Sequence, residues 1–250
     1  MKHKLLTAAV LAFFAFTASA QTADEIIAKY FENTGGIDKW KSIEGIKMSA
    51  KVNQGGMEIP LEIVQLKDGR QSTSISFQGK VIKQGVYDGS SLWSHNFMTM
   101  KAEKSDAEST ENFKQDIGDF PDVFLNYKAR GINVEVVGKE TVEGTETFKV
   151  KVTKKPIKVD GQLTDNVSFY YFDAENFVPL VIESEVKSGP AKGQVSQVKF
   201  SDYQEISNGV MMPFTMTQGV KGGPGQPLNI TSIEVNPKVD AAEFAYPEGQ

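Results

Sequence analysis

Residues 46–52 spell Ile-Lys-Met-Ser-Ala-Lys-Val, which alternates apolar and polar side chains with a period of two. Side chains of a β-strand point alternately to the two faces of its sheet, so the pattern predicts a strand with one buried face. Gly55-Gly56 follows as a turn, and residues 57–63 repeat the alternation on a returning strand. Strands joined by so short a turn are antiparallel. The stretch therefore predicts a β-hairpin, the first unit of an antiparallel sheet.

The alternation recurs along most of the chain and is bounded each time by turn residues such as Glu143-Gly144 and Asn208-Gly209. Together with the first hairpin, these segments predict about a dozen strands in an antiparallel meander. The further strands are predicted at residues 73–77, 81–87, 92–97, 132–139, 147–154, 166–173, 178–186, 195–205, 211–218 and 228–236. No change in composition marks a linker, so residues 21–250 are predicted to form a single domain.

A helix is predicted before the first strand. Thr22-Ala-Asp-Glu25 is a capping-box pattern, which marks a helix start. Four apolar residues follow at helical spacing and form one stripe: Ile26, Ile27, Tyr30 and Phe31. Gly35-Gly36 ends the helix, because glycine adopts the left-handed conformation found after helix ends. A short second helix is predicted at residues 38–42 and a last helical turn at residues 240–243.

Residues 98–130 interrupt the strand pattern. The segment is first polar and rich in charged residues, and then apolar around Phe120, Val123 and Phe124. We predict two short helices here, at residues 107–117 and 121–129. Helices inserted between strands must pack on a face of the sheet or cap an opening, so the segment is expected to lie across one mouth of the sheet.

The first twenty residues have the pattern of a cleavable signal peptide. Lys2 and Lys4 precede an apolar run from Leu5 to Phe16, and Ala18-Ser19-Ala20 supplies the small residues of a cleavage site. The alternative, a retained membrane anchor, is disfavoured because a spanning helix needs about 20 apolar residues. The chain is therefore predicted to be exported, in the periplasm, with a mature form that begins near Gln21.

The composition restricts the chemistry available to the chain. There is no cysteine, which excludes disulfides, a thiolate nucleophile and an N-terminal lipid anchor. Without residues 1–20 the chain has 25 basic and 32 acidic residues, a formal charge of −7. Binding to nucleic acid or to an anionic membrane requires clusters of Lys and Arg, and no such cluster occurs in the sequence. The sequence therefore predicts no nucleic-acid partner.

Catalytic and metal-binding patterns are absent from the sequence. His95 is the one histidine after cleavage, and no H-x-x-x-H or H-E-x-x-H spacing occurs. A hydrolase with His95 as its base stays open as a minor alternative. We therefore predict neither an enzyme nor a metal or cofactor site. A second alternative is a cell-envelope interaction module that binds a protein through strands 195–218.

The chain resembles exported lipoprotein-sorting proteins of the LolA-like (LolA/LppX) type. The resemblance runs in order through Thr22–Tyr30, Gly35-Gly36, Trp40–Ile43, Tyr87-Asp88-Gly89, Trp93, Val178–Leu180, Ser201–Tyr203, Gly209–Phe214, Phe244 and Pro247. It implies a curved, unclosed antiparallel barrel of about eleven strands with helices plugging the concave side. It further implies a cavity for a lipid or the acyl chains of a lipidated protein, with no cofactor and no reaction. Envelope membrane proteins are possible partners, and the carrier is expected to be a monomer.

Strand parity then predicts which side chains line this cavity. Several strands are apolar on both faces, as at residues 169–172 and 178–182, and core packing explains most of this content. The methionines at positions 98, 100, 211, 212 and 216 suit an adaptable apolar pocket, because methionine fills irregular space. The predicted lining residues are Ile46, Met48, Ala50, Val52, Ile59, Leu61, Ile63, Ile75 and Phe77 from the strands, with Phe120, Val123 and Phe124 from the insert. A register shift of one residue would place each strand's set on the opposite face.

Overall fold

The computed structural model describes residues 21–247, so the predicted signal peptide lies outside the described residues. Within this range the chain forms one antiparallel sheet with a few short helices, as predicted. The strands are β1 (Gly45–Gln54), β2 (Met57–Leu66), β3 (Gln71–Phe77), β4 (Lys80–Tyr87), β5 (Leu92–His95), β6 (Ala102–Lys104), β7 (Asn133–Val142), β8 (Thr145–Val159), β9 (Gln162–Asp173), β10 (Pro179–Glu185), β11 (Val195–Glu205), β12 (Met211–Val220) and β13 (Gly225–Val235). The helices are α1 (Ala23–Asn33), α2 (Ile37–Lys41) and α3 (Ala107–Asp116), with 3₁₀ turns at Ile117–Asp119 and Ala241–Glu243.

The sheet is a meander whose two halves join at the chain's first and last strands. Its order is β6-β5-β4-β3-β2-β1-β13-β12-β11-β10-β9-β8-β7, so β1 pairs with β13 and the edges are β6 and β7. The sheet therefore does not close. It has thirteen strands within residues 21–247, where the resemblance implied about eleven. The strand that the alternation did not predict, β6, has three residues, too few to show a period.

The N-terminal helix starts and ends where the sequence predicts. The Thr22 side chain accepts from the backbone N–H of Glu25 at 3.3 Å, and the Glu25 carboxylate accepts from the backbone N–H of Thr22 at 2.8 Å. The apolar stripe is buried, as its spacing predicts. After the helix the backbone of Gly35 has a φ of +109°, and α2 follows with Trp40 buried.

The insert between β6 and β7 differs from its prediction in one half. Its first helix is α3, but the helix predicted at residues 121–129 is a series of turns. The Asp122 carboxylate accepts the backbone N–H of Phe124, and Asn126 has a φ of +55°, so the backbone cannot continue as a helix. The apolar spacing that suggested a helix comes from side chains that cover the core from these turns.

The two faces of the sheet are covered by different segments. We call inner the face on which α1 and Val123–Leu125 pack, in one core with Ile46, Phe148 and Phe172. The outer face carries a smaller core of Val64, Val86, Trp93 and Phe244, which the C-terminal segment covers. The helices and the insert thus lie on one side of the sheet, and the chain's end lies on the other.

The two ends of the sheet are also distinct, because each strand is antiparallel to its neighbours. Six hairpin loops lie at one end, here called the tip end: residues 55–56, 78–79, 96–101, 160–161, 186–194 and 221–224. Five connections lie at the other, the turn end: residues 67–70, 88–91, 143–144, 174–178 and 206–210. Among residues 21–247, no helix has the length and apolar content that a membrane crossing requires.

Candidate functional site

The inner face carries continuous rows of apolar side chains across neighbouring strands. Residues that pair directly across strands share a face, so the register defines these rows. One row runs through Ile59, Val52, Leu228, Met216 and Phe200. A second runs through Ile82, Ile75, Leu61, Ala50 and Ile230, and a third through Ile63, Met48 and Ile233. The inner face thus presents an apolar surface, and each of its first two rows crosses five strands.

The core under α1 occupies the turn-end half of this surface, whereas Glu108 of α3 accepts from the backbone N–H groups of Asp160 and Gly161 in a tip-end loop. The core under α1 contains Ile46, Phe172, Ile206, Val210 and Met212, which all lie towards the turn end of their strands. Aromatic rings fill it closely, with the ring of Tyr30 5.9 Å from that of Trp40 and 5.8 Å from that of Phe172. We call the remaining, half-buried part of the surface the inner groove. It comprises Val52, Leu61, Ile63, Ile75, Phe77, Phe200, Met216 and Leu228.

The structure separates the twelve predicted lining residues into two groups. Ile46, Val123 and Phe124 are buried in the core with α1, and Met48 and Phe120 pack against that core. The other seven lie beyond it on the same inner face. Of these, Ala50 and Ile59 are buried, while Val52, Leu61, Ile63, Ile75 and Phe77 are half-buried. The strand residues thus share one face, and the three insert residues pack at its turn-end half.

The sequence analysis missed the contribution of the last strands to this surface. Phe200, Met216 and Leu228 complete the first row, opposite the residues of β1. The crowding of methionine and phenylalanine at residues 211–216 could have indicated that this strand contributes to the apolar surface. The pairing of β1 with β13, which brings that segment beside the first hairpin, has no signal in local periodicity.

A small cavity lies where the insert meets the turn end of β2 and β3. It has a volume of about 250 Å³ and is lined by Leu66, Phe113, Ile117 and Phe120, among others. Pockets that hold small molecules usually measure roughly 300–1,000 Å³. The cavity is therefore too small to hold a lipid by itself, and an acyl chain would also need the inner groove.

A partly buried ion-pair network fastens the insert to β8. The Asp119 carboxylate pairs with Arg130, and its second oxygen accepts from Lys154 Nζ at 2.8 Å. Lys154 also pairs with Asp116 at the end of α3. Burial acts to lower the pKa of Lys154, but Asp116 and Asp119 outweigh it, so that this pKa is raised and the side chain keeps its charge.

We expect Asp119→Ala to destabilise the docked insert by about 1–2 kcal/mol, because Arg130 and Lys154 then lose charged partners in a partly buried site. Asp116→Ala is the matched control, since it removes an acid that pairs with Lys154 alone and is more exposed. Amide hydrogen exchange across residues 107–131 should accelerate in Asp119→Ala and change little in Asp116→Ala. Equal acceleration in both variants would contradict a central role for Asp119.

A second connection joins the insert to α1. Tyr30 Oη donates to Asp122 Oδ2 at 2.8 Å, and Asp24 pairs with both Tyr127 and Lys128. Burial raises the pKa of Asp122 to about 6, with Asp119 adding to the shift, although the hydrogen bonds from Phe124 and Tyr30 oppose it. Burial, followed by the charge of Asp122, also raises the pKa of Tyr170 and Tyr203 nearby. The insert thus places a half-buried acid with a raised pKa against α1.

The histidine considered as a catalytic base has structural contacts. His95 Nδ1 lies 2.9 Å from the backbone N–H of Lys83, which donates to it, and the ring packs edge-on against Trp93. Within residues 21–247, no three His, Cys, Asp or Glu side chains are grouped so that they could hold a metal ion.

Comparison with solved structures identifies the fold. A LolA superfamily protein from Nitrosomonas europaea matches over 90% of this chain and 98% of its own, with 14% identity and a TM-score of 0.52. A DUF1329 family protein from Desulfovibrio piger matches over 90% and 97%, with 15% identity and a TM-score of 0.54. No family model and no curated protein sequence matches the chain. At these identities the likeness shows the fold, and the chain has a LolA-like fold, as the sequence resemblance predicted.

Proposed function

We propose that the protein is a periplasmic carrier that binds a lipid, or the acyl chain of a lipidated protein, in the inner groove. The observation that carries the proposal is the continuous apolar surface of the inner face beyond the α1 core. Its first two rows each cross five strands. Ala50, Ile59, Ile82 and Ile230 in these rows are buried, while the residues of the inner groove stay half-buried. In this proposal the sheet is curved, the helices plug its concave side, and the twelve predicted residues line the ligand site together with Phe200, Met216 and Leu228.

The energetics suit a carrier. Burial of a ~16-carbon chain gains at most ~12 kcal/mol, at ~0.8 kcal/mol per CH₂. Ordering and association cost several kcal/mol, so the net affinity is moderate. A moderate affinity allows both uptake and release. The insert, held by hydrogen bonds and ion pairs to α1 and β8, is the segment whose movement would enlarge the 250 Å³ cavity towards the groove.

The direct test is to identify what the protein carries. Native mass spectrometry and solvent extraction of the protein purified from the periplasm should reveal bound lipid. A fluorescent fatty acid should bind the delipidated protein with one dominant site. Absence of lipid and of fatty-acid binding would contradict the proposal. Recovery of one stoichiometric protein without lipid would favour the interaction-module alternative.

We expect Met216→Gln to weaken fatty-acid binding about tenfold, since glutamine keeps the shape of methionine but places a polar amide in the middle of the first row. Met57→Gln is the matched control, because Met57 lies at a hairpin tip with 55% of its surface exposed. Titration with the fluorescent fatty acid measures both variants, and thermal unfolding checks their folding. Unchanged binding in Met216→Gln would exclude the first row from the ligand site.

A further inference from the structure

Exposed apolar side chains are concentrated at one end of the sheet. Among residues 21–247, seven large apolar side chains are exposed, and five of them lie in or beside the hairpin loops of the tip end. These five are Met57 (55% exposed), Val81 (56%), Phe97 (61%), Met98 (94%) and Leu163 (73%). The other two, Ile37 and Val137, lie on α2 and on the edge strand β7. The five come from four different hairpins, so only the antiparallel topology gathers them.

The charges of the chain are also divided between the two ends. The six tip loops, counted with two flanking residues on each side, contain six lysines and four acids. The five turn-end connections, counted in the same way, contain two basic residues and seven acids. The lysines of the tip end are Lys80, Lys101, Lys158, Lys187, Lys192 and Lys221. By this count the tip end is less acidic than the turn end, and it carries the exposed apolar side chains. Lys187, Lys192 and Lys221 are paired with Glu185, Asp160 and Glu183, whereas Lys80, Lys101 and Lys158 form no ion pair among the described residues.

We propose that the tip end docks on the surface of a lipid bilayer that contains anionic headgroups. We call its contact surface the tip rim: Met57, Val81, Phe97, Met98 and Leu163, with Lys80, Lys101 and Lys158. Apolar side chains at the tips of separate loops can each enter the interface of a bilayer, while lysines between them attract anionic headgroups. A protein partner would instead need a shaped, contiguous apolar patch, and these side chains stand apart on different hairpins.

The inner groove extends to the same end of the sheet. Val52 and Leu228 pair with each other close to the loops at 55–56 and 221–224, and Phe77 directly precedes the loop at 78–79. The α1 core fills the turn-end half of the inner face, and the inner groove lies between this core and the tip rim. Docking by the rim would therefore bring the groove to the bilayer. The docking itself does not require cargo, so it goes beyond the proposed carrier function and can be tested apart from it.

The test is co-sedimentation of the purified chain, without residues 1–20, with vesicles of phosphatidylcholine and with vesicles that also contain one quarter phosphatidylglycerol. We expect stronger binding to the anionic vesicles, weakened by added salt. Phe97→Ser with Met98→Ser should lower binding at least tenfold. Ile37→Ser with Val137→Ser is the matched control, which changes two exposed apolar residues away from the rim and should leave binding unchanged. Lys80→Glu with Lys101→Glu should remove the preference for anionic vesicles.

The outcomes separate this proposal from the carrier function. Fatty-acid binding in the absence of vesicles should be the same in the Phe97/Met98 variant as in the parent chain. No vesicle binding by the parent chain would overturn the docking proposal, and so would equal losses in the rim variant and its control. A rim that binds an envelope protein but no vesicles would also overturn it and assign the rim to a protein interface.

Discussion

We expect Gly35→Ala to lower the free energy of unfolding by about 3 kcal/mol, since it combines a strained backbone with a steric clash. Gly35 has a φ of +109°, which side-chain-bearing residues rarely adopt. A Cβ atom there would lie 2.2 Å from the carbonyl oxygen of Gly209 and 3.1 Å from Val210 Cα. Both are backbone atoms at the turn between β11 and β12, so neither can rotate away. Urea unfolding followed by tryptophan fluorescence measures the loss.

Gly36→Ala provides the matched control for this prediction. Gly36 has a φ of +96°, but a Cβ atom there would meet no atom within 4 Å. Its loss of stability therefore reports the backbone strain alone, about 1 kcal/mol or slightly more. The difference between the two variants measures the close approach of α1 to the β11–β12 turn. Equal losses in both variants would show that this approach contributes nothing to stability.

The close approach at Gly35 also determines where the inner groove begins. Lys39 Nζ donates to the carbonyl of Gly209, and the backbone N–H of Met211 donates to the carbonyl of Thr34. These bonds hold the end of α1 and the following helix α2 against the turn end of the sheet. Since α1 fills that half of the inner face, the inner groove lies beyond it towards the tip end. A displaced α1 would therefore alter the groove as well as the stability.

Local periodicity predicts the first hairpin and its inward side chains because β1 and β2 pair without irregularity. Residues 45–54 pair with residues 57–66 in an unbroken register, so parity alone places Met48, Ala50 and Leu61 on one face. Periodicity fails where a bulge or a distant pairing intervenes. The partner of β1 on its other side is β13, nearly two hundred residues later, with a register shift beside Ala50. Only the folded sheet shows that Leu228 completes the row.

The insert shows that helical spacing of apolar residues does not by itself predict a helix. Phe120, Val123, Phe124 and Tyr127 have the spacing of a helical stripe, and the prediction of a helix at residues 121–129 was wrong. Tertiary contacts determine the backbone conformation of this segment. The Asp122 carboxylate accepts from the backbone N–H of Phe124 and from the hydroxyl of Tyr30, and these bonds hold a turn against α1. A stripe of the same spacing on α1 was predicted correctly, and there a capping box supports the helix.

The charge of the chain illustrates why composition is a weak guide to surfaces. An excess of seven acids argued against an anionic membrane as a partner. That argument treats charge as uniform over the surface. The tip-end lysines are scattered from Lys80 to Lys221, so no basic cluster appears in the sequence. The alternating direction of the strands brings them to one end and leaves most turn-end acids at the other.

Asp122 is the half-buried acid between the insert and α1. Its pKa is raised from an ordinary 3.8 to about 6, so the folded state binds this proton more tightly than the unfolded chain. Asp122 therefore favours folding most below pH 4, and its contribution declines as the pH rises through 6. A shift of about two pKa units corresponds to about 3 kcal/mol. This sign is opposite to that of Glu183 and Glu243, whose pKa values are lowered.

We therefore expect Asp122→Asn to be about as stable as the parent chain at pH 4 and up to about 3 kcal/mol more stable at pH 7.5. Asparagine keeps an acceptor for the Phe124 N–H and has an amide that can donate to Tyr30 Oη. Urea unfolding of both chains at several pH values measures this effect. The contributions of the other acids cancel in the difference between the two free energies of unfolding. A difference that does not change with pH would contradict a raised pKa for Asp122.

Tyr30→Phe should strengthen the pH dependence of stability that Asp122→Asn removes. The Tyr30 hydroxyl donates to the Asp122 carboxylate and so favours its charged form. Its removal should raise the pKa of Asp122 above 6 and extend the loss of stability to higher pH.

Asp122 should also make the docking of the insert on α1 depend on pH, because its carboxyl group lies where the two segments meet. Hydrogen exchange of residues 107–131 should then be slower at pH 5 than at pH 7.5, after correction for intrinsic exchange rates, and this difference should disappear in Asp122→Asn.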